Sequence, residues 1–400
     1  MPDGSSFGGT SPLLPGARKG RGAVTNPAAR FEGTTRDAFD DGWGSLADLA
    51  DLPPLPTTLL KDGARSAMAF NSSPDLGFDR SINPYRGCEH GCVYCYARPS
   101  HAYLGHSPGL DFETLLYVKP DLPALLEREL RKPGYVPRPV ALGANTDPYQ
   151  PVERTVQLTR AVLEVLERFG HPVTIVTKSA GVLRDLDILK RLAARNLVHV
   201  CLSVTTLDAA LARRMEPRAA APMRRIAAIG ELARAGIPAG VLAAPMIPGI
   251  NDAELERILL AAAQAGATRA GYVLLRLPLE IAGMFEAWLR AHFPDRAARV
   301  LALVRETRAG ALYRSRFGER QTGTGPYADM LAQRFRAASA RLGLAGTNVG
   351  AQPLDCTRFA VPGAAPQERG GRHAAGAPPD DAPRQERPRQ REPEAQLALL

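Results

Sequence analysis

The chain has 400 residues, 45% of them apolar and 6% aromatic, with a formal net charge of +9. That content suits one large catalytic domain with loose ends, and no run approaches the eighteen or so apolar residues of a membrane span. Five cysteines are too sparse, and odd in number, for the disulfide framework of a secreted scaffold, and the N-terminus lacks the layout of a signal peptide, so a reducing, cytoplasmic setting is expected.

Residues 1–60 are rich in Gly, Pro, Ser and Ala and carry only scattered Phe and Trp43. Such a composition buries too little surface to offset the entropy of ordering, which predicts a mostly disordered segment. A short apolar stretch, 46–60, is expected to dock as an extended arm.

Next comes the densest chemistry in the chain, Cys88-Glu89-His90-Gly91-Cys92-Val93-Tyr94-Cys95. A C-x3-C-x2-C triplet supplies three thiolates where closed metal sites need four. An iron–sulfur cubane held by three cysteines leaves one iron open to an outside molecule, which implies chemistry and not structure alone. The competing reading is a structural zinc site completed by His90 or His101. Zinc sites usually divide their ligands into two separated pairs, and no second C-x2-C or H-x3-H is present. The two other cysteines are isolated, and Cys201, in an apolar run, reads as a buried inert thiol.

From residue 140 onward, short β-branched runs alternate with helical stripes. Strands are predicted at 140–143, 173–177, 198–205, 239–244 and 270–276, after a first one leading into Cys88. The stripes Val156, Thr159, Val162/Leu163, Leu166, then Leu186, Leu189, Leu192, then Leu255, Ile258/Leu259, Ala262 have helical spacing. Stacked βα units of this kind fit an open TIM-type barrel or a doubly wound sheet. Polar strings follow the strands: Asn145-Thr146-Asp147-Pro148-Tyr149-Gln150, Thr177-Lys178-Ser179, Ser203-Val204-Thr205-Thr206, and a last one ending in Asn251-Asp252. In a parallel barrel these are the working positions, although Asn251 and Asp252 also read as helix N-caps. Helical segments at 284–289 and 327–344 are expected to shape a substrate pocket. The end of the chain, 346–400, is expected to be disordered, since residues 360–400 contain seven Pro, no aromatic residue and a mixed Arg/Glu/Gln run.

The C-x3-C-x-aromatic-C pattern resembles the radical S-adenosylmethionine (radical SAM) enzymes. Its neighbours Asn83-Pro84-Tyr85-Arg86-Gly87, Tyr96-Ala97-Arg98, Thr146-Asp147-Pro148-Tyr149-Gln150, Thr177-Lys178 and Pro245-Met246-Ile247-Pro248-Gly249 resemble the spore photolyase-like branch, which includes DNA repair photolyase homologues. The resemblance covers roughly residues 75–340. It implies an α/β fold, a partial (βα)6 TIM-type barrel within residues 61–345: cluster loop 84–98, barrel to about 292, helical extension 293–345. It also implies that Cys88, Cys92 and Cys95 ligate a [4Fe-4S] cluster and that SAM is reductively cleaved to a 5′-deoxyadenosyl radical for hydrogen abstraction. Tyr94 would lie beside the adenine, with Thr146, Asp147, Lys178 and Ser203 as further SAM contacts. A flavodoxin- or ferredoxin-type electron donor is the implied partner. The segment holding Glu216, Arg218 and Arg225 is a further candidate for the SAM carboxylate.

One departure matters. In spore photolyases a cysteine just before the Thr/Ser-Asp pair donates the hydrogen atom that closes the reaction, whereas this chain has Ala144 there. Either Tyr96 or Tyr149 is then the catalytic donor, or the reaction is a different one that ends without such a donor and is not thymine-dimer repair. Binding of DNA or RNA, with the protein a lyase acting on DNA, is compatible with the positive charge and with two arginine-dense stretches, Arg213, Arg214, Arg218, Arg224, Arg225 and Arg314, Arg316, Arg320, Arg334, Arg336; another macromolecule is the other substrate class left open. The alternative class is a non-catalytic nucleic-acid-binding protein braced by zinc or an iron–sulfur site.

Overall fold

The computed structural model describes residues 20–31, 55–346 and 353–363. Strands β1 (Thr58–Lys61), β4 (Tyr85–Arg86) and β5 (Leu115–Val118) form a small sheet in the order β1-β5-β4. The main sheet contains β2 (Met68–Phe70), β3 (Arg80–Ile82), β6 (Val140–Leu142), β7 (Val173–Thr177), β8 (Val198–Ser203), β9 (Ala239–Met246), β10 (Arg269–Leu274) and β11 (Ala345–Gly346). Its order is β11-β10-β9-β8-β7-β6-β3-β2, and every pairing from β3 to β11 is parallel.

This order decides between the two architectures left open above. A doubly wound sheet reverses its strand order at a switch point, while a barrel wall adds each strand beside the last. Here β3, β6, β7, β8, β9 and β10 follow one another in chain order. With crossovers of a single hand, the helices all fall on one face and the sheet curls as a partial barrel.

The apolar stripes do what their spacing requires. Helix Leu158–Arg168 buries Leu158, Thr159, Val162, Leu163 and Leu166, and Leu255–Gln264 buries Leu255, Ile258, Leu259 and Ala262 against the sheet. Val156 falls in a separate short helix, because Gln157 takes a left-handed φ of 55° and breaks the run. Strand β8 is buried at all six positions, as a central parallel strand covered on both faces must be. Each fully buried Val or Leu there contributes roughly 1.5–3 kcal/mol of transfer free energy. Cys201 lies within it as an inert thiol, pushed by burial up to about 12.

After β6 the chain turns sharply at Gly143, φ +88°, where a Cβ would meet the Val176 carbonyl oxygen at 2.2 Å. Only glycine permits that approach, and it aims residues 144–150 across the strand ends. Asn251 and Asp252 are not side-chain caps. Asn251 Oδ1 accepts from the Ile247 amide at 2.6 Å and its Nδ2 donates to Thr205 and Pro245 carbonyls, so it braces the loop after β9.

Two stretches differ from the composition-based expectation of disorder. Residues 20–31 pack against the cysteine loop: Gly22 and Ala23 amides donate to the buried Glu113 carboxylate at 3.0 and 2.9 Å, and Arg21 donates to the Glu113 carbonyl. Residues 353–363 also dock, with Phe359 5.4 Å from Tyr135 and 6.1 Å from Phe169, ring to ring. A few polar anchors and one aromatic ring offset the ordering entropy locally, which average composition cannot register. In the 46–60 stretch, residues 58–60 belong to β1. Trp43 and the remainder of the terminal segments, including 46–54, 347–352 and 364–400, lie outside the described residues. No helix of the described residues is long and apolar enough to cross a membrane.

Candidate active site

The cysteine loop is built around Arg98. Its guanidinium, wholly buried, donates to the carbonyls of Cys92, Pro108 and Gly109 and pairs with Glu113, which has no exposed surface either. One side chain thereby satisfies three loop carbonyls that no secondary structure would pair. Cys88, Cys92 and Cys95 all line one cavity of about 280 Å³, together with residues from the C-terminal ends of β6 to β10. Burial pushes all three thiols above their ordinary range. Metal coordination is what would make such thiols thiolates.

Of the two imidazoles considered for zinc, His101 does not line the cavity; it bonds the Leu115 carbonyl at 3.0 Å and packs on Phe112. His90 lines the cavity, with its Nδ1 3.3 Å from Asp147 Oδ2. Among the described residues, no three His, Cys, Asp or Glu side chains are gathered closely enough for a single metal ion.

Asp147 organises the rim. It accepts from the Thr177 hydroxyl and the Lys178 amide, each at 2.7 Å, and from the Tyr149 amide at 2.8 Å. Burial alone would raise its pKa, but His90 and these donors bring it below the ordinary value. Thr146 donates to the Tyr85 carbonyl at 2.9 Å. The Lys178 ammonium donates to Ser203 Oγ at 2.6 Å, Thr205 Oγ1 at 3.3 Å and the Ala244 carbonyl at 3.2 Å, and lies 5.6 Å from the Tyr94 ring centre. Tyr94, Thr146, Asp147, Lys178 and Ser203 all line the cavity with the cysteines.

Glu216 and Arg225 form the support beneath. Both are fully buried, 2.7 Å apart, and the Tyr94 hydroxyl donates to Glu216. Burial would raise the Glu216 carboxyl, yet Arg225 and Lys178 hold it low. Arg225 is therefore committed to a carboxylate of the protein, and Arg218 pairs with Glu89 at 2.9 Å. Other members of the arginine-dense stretches also face carboxylates: Arg320 with Asp75 and Arg334 with Glu256. Arg213, Arg214, Arg224 and Arg336 remain exposed.

The two candidate tyrosines part company. Tyr96 lines the cavity and its hydroxyl donates to the Ala144 carbonyl. The structure does not bring Tyr149 there: it is buried outside the cavity lining and its hydroxyl donates to Asp185 at 3.0 Å. Sequence reasoning overlooked Arg276, which lines the cavity beside Tyr96; the signal was a cation closing the apolar run Val273-Leu274-Leu275.

Comparison with known proteins bears on this site. The model of the radical SAM superfamily matches residues 82–262. An uncharacterised protein of Mycobacterium tuberculosis is 37% identical over 242 residues, covering 59% of this chain and 71% of that one. The chain belongs to the radical SAM superfamily. An uncharacterised protein of Methanocaldococcus jannaschii is 29% identical over 173 residues, 43% of this chain and 62% of its own length. Among solved structures, spore photoproduct lyase complexed with dinucleoside spore photoproduct aligns with a TM-score of 0.51 at 17% identity, covering 72% of this chain and 81% of that chain. A substituted spore photoproduct lyase with bound AdoMet and the same dinucleoside gives 0.51 at 18%. At such identity the likeness speaks for the fold. As a radical SAM enzyme, the protein works with a [4Fe-4S] cluster and SAM, and needs a reductant. The cavity fits that pair: three thiols, two of them buried and Cys95 partly so, line it, and an ammonium, hydroxyls and an aromatic face stand around the adjoining space.

Proposed function

We propose that Cys88, Cys92 and Cys95 hold the cluster, that Tyr94, Thr146, Asp147, Lys178 and Ser203 hold SAM, and that the enzyme abstracts a hydrogen atom from a nucleic-acid lesion, in the manner of a spore photoproduct lyase. The observation that carries this reading is the single cavity in which the three thiols meet those five side chains and Tyr96. The net charge of +9 and the spore photoproduct lyase fold support the nucleic-acid substrate. A flavodoxin- or ferredoxin-type protein in the cytoplasm supplies the electron.

When bound, the cluster and SAM supply a 5′-deoxyadenosyl radical, the hydrogen-abstracting species. The chain's own residues position and shield. Lys178, held by three oxygen acceptors, presents its remaining charge to the methionyl carboxylate or a ribose hydroxyl. Arg225 neutralises Glu216, so no bare carboxylate opposes an anionic ligand while Glu216 fixes the Tyr94 ring. Leu76, Phe78, Leu242 and Val273 form apolar walls that exclude water from a reactive intermediate. Tyr96, which burial pushes up to about 12, stays a phenol at neutral pH and keeps an O–H hydrogen for the product radical where Ala144 has none.

The test is anaerobic iron and sulfide analysis with a reductive SAM-cleavage assay, following 5′-deoxyadenosine by mass spectrometry with and without ultraviolet-damaged DNA. Cluster plus cleavage, stimulated by damaged DNA with loss of the lesion, is the expected result. Cleavage indifferent to DNA would reject the nucleic-acid substrate, and zinc without iron would reject the cluster assignment.

A further inference from the structure

Arg276 lies two residues beyond the end of β10 and is 94% shielded from solvent, with 6% relative exposure. Its Nε and Nη2 atoms are buried without a hydrogen-bond partner among the described residues. It faces the cavity, and its guanidinium carbon lies 5.0 Å from the centre of the Tyr96 ring. The other charged side chains lining that cavity have their hydrogen bonds made within the protein: Lys178 to Ser203, Thr205 and the Ala244 carbonyl, and Asp147 from two donors of the Thr177-Lys178 stretch, with His90 3.3 Å away. Of the neighbouring arginines, Arg320 pairs with Asp75, while Arg308 donates to the carbonyls of Leu275 and Glu319 and leaves only its Nε without a partner among the described residues. A buried cation is kept in a fold when an opposite charge joins it, and a single aromatic face offsets only part of its lost hydration.

We infer that Arg276 is a phosphate-binding residue for the substrate, its planar fork taking two oxygens of a phosphodiester or a nucleotide phosphate beside Tyr96. The fork geometry matches such an oxyanion bidentately. Arg276 lies over the Tyr96 ring, whereas Lys178 lies over the Tyr94 ring and bonds Ser203, so an anion on Arg276 sits next to the tyrosine proposed as hydrogen donor. Naming phosphate over carboxylate rests on the nucleic-acid reading above.

The experiment is isothermal titration of the anaerobically reconstituted, SAM-loaded full chain with inorganic phosphate, thymidine 5′-monophosphate and a single-stranded oligothymidylate, for wild type, Arg276→Gln and Arg276→Lys, with SAM affinity measured in parallel. Arg276→Gln is expected to weaken a phosphate probe about tenfold to a hundredfold, the loss of one charge-assisted contact, with SAM affinity retained and Arg276→Lys intermediate. Tighter binding of the oligonucleotide than of the mononucleotide identifies a phosphodiester; the reverse identifies a free nucleotide. Equal phosphate affinity in wild type and Arg276→Gln, no binding of any probe by wild type, or a loss confined to SAM would each overturn the assignment. Circular dichroism establishes that the variants fold, and Arg276→Lys retains the cation if Arg276→Gln does not. Failure of 5′-deoxyadenosine release in the wild-type preparation would instead count against the radical SAM reading of the site, independently of phosphate binding.

Discussion

The Tyr96 hydroxyl donates to the main-chain carbonyl of Ala144, which holds the phenol against the loop after β6 and in the lining of the cysteine cavity. Replacing Tyr96 by Phe removes the O–H while keeping the ring under Arg276. The expected outcome is continued SAM cleavage with a ratio of 5′-deoxyadenosine to product raised at least about tenfold, corresponding to roughly 1.4 kcal/mol of lost selectivity in the quenching step. Tyr149→Phe should leave that ratio unchanged, because its hydroxyl is engaged with Asp185 outside the cavity lining. Equal ratios in wild type and Tyr96→Phe would rule out Tyr96 as the donor.

Cys92→Ala tests the cluster ligation directly. Cys92 is buried within a secondary apolar core with Val93, Tyr94 and Met215, and loss of one sulfur there should lower stability by about 2 kcal/mol or less. Iron content and reductive SAM cleavage should fall to background while the far-ultraviolet circular dichroism of the barrel persists. Global unfolding would point to a site that braces the fold.

The arm at residues 20–31 is held by Glu113 and by close backbone contact. A Cβ on Gly22 would fall 1.7 Å from the Gly91 carbonyl oxygen, a clash with main chain of the cysteine loop itself. Gly22→Ala should therefore release the arm, read as protease cleavage near residue 22, and hasten bleaching of the cluster in air. Glu113→Ala removes the same anchor and leaves Arg98 buried without its counter-ion, with an expected destabilisation of about 3–5 kcal/mol in urea unfolding. A protease pattern unchanged in both variants would contradict this account of the arm.

His171 and His199 are both lowered by burial to about 4 from an ordinary 6.5. A base with a depressed folded pKa is neutral in the fold but protonated in the unfolded chain between those two values, so the unfolded state binds more protons there. Their contribution is complete above pH 6.5 and is lost as the pH falls toward 4, on the order of 1–3 kcal/mol each. The urea midpoint should fall across that window, and His171→Gln should flatten part of the slope. A midpoint independent of pH from 6.5 to 4 would refute it.

Much of this protein is legible in its sequence because the relevant signals are local. Cysteine spacing is read within eight residues, apolar period within a helix or strand, and polar strings at strand ends mark a parallel sheet's working edge; from these follow the superfamily, the βα alternation and most of the cavity lining. What only tertiary structure decided concerns partners far apart in the chain. Strand order chose the barrel wall over a doubly wound sheet. Tyr94 meets Glu216 across 122 residues, and Glu113 captures Gly22 across 91. Tyr149, in the same short string as Asp147, has its hydroxyl turned to Asp185, while Arg276, unmarked by any motif, stands beside Tyr96 with two nitrogens unpaired among the described residues. Whether a charge is matched depends on which side chains burial leaves beside it, and that is a property of packing, which no local pattern in the chain encodes.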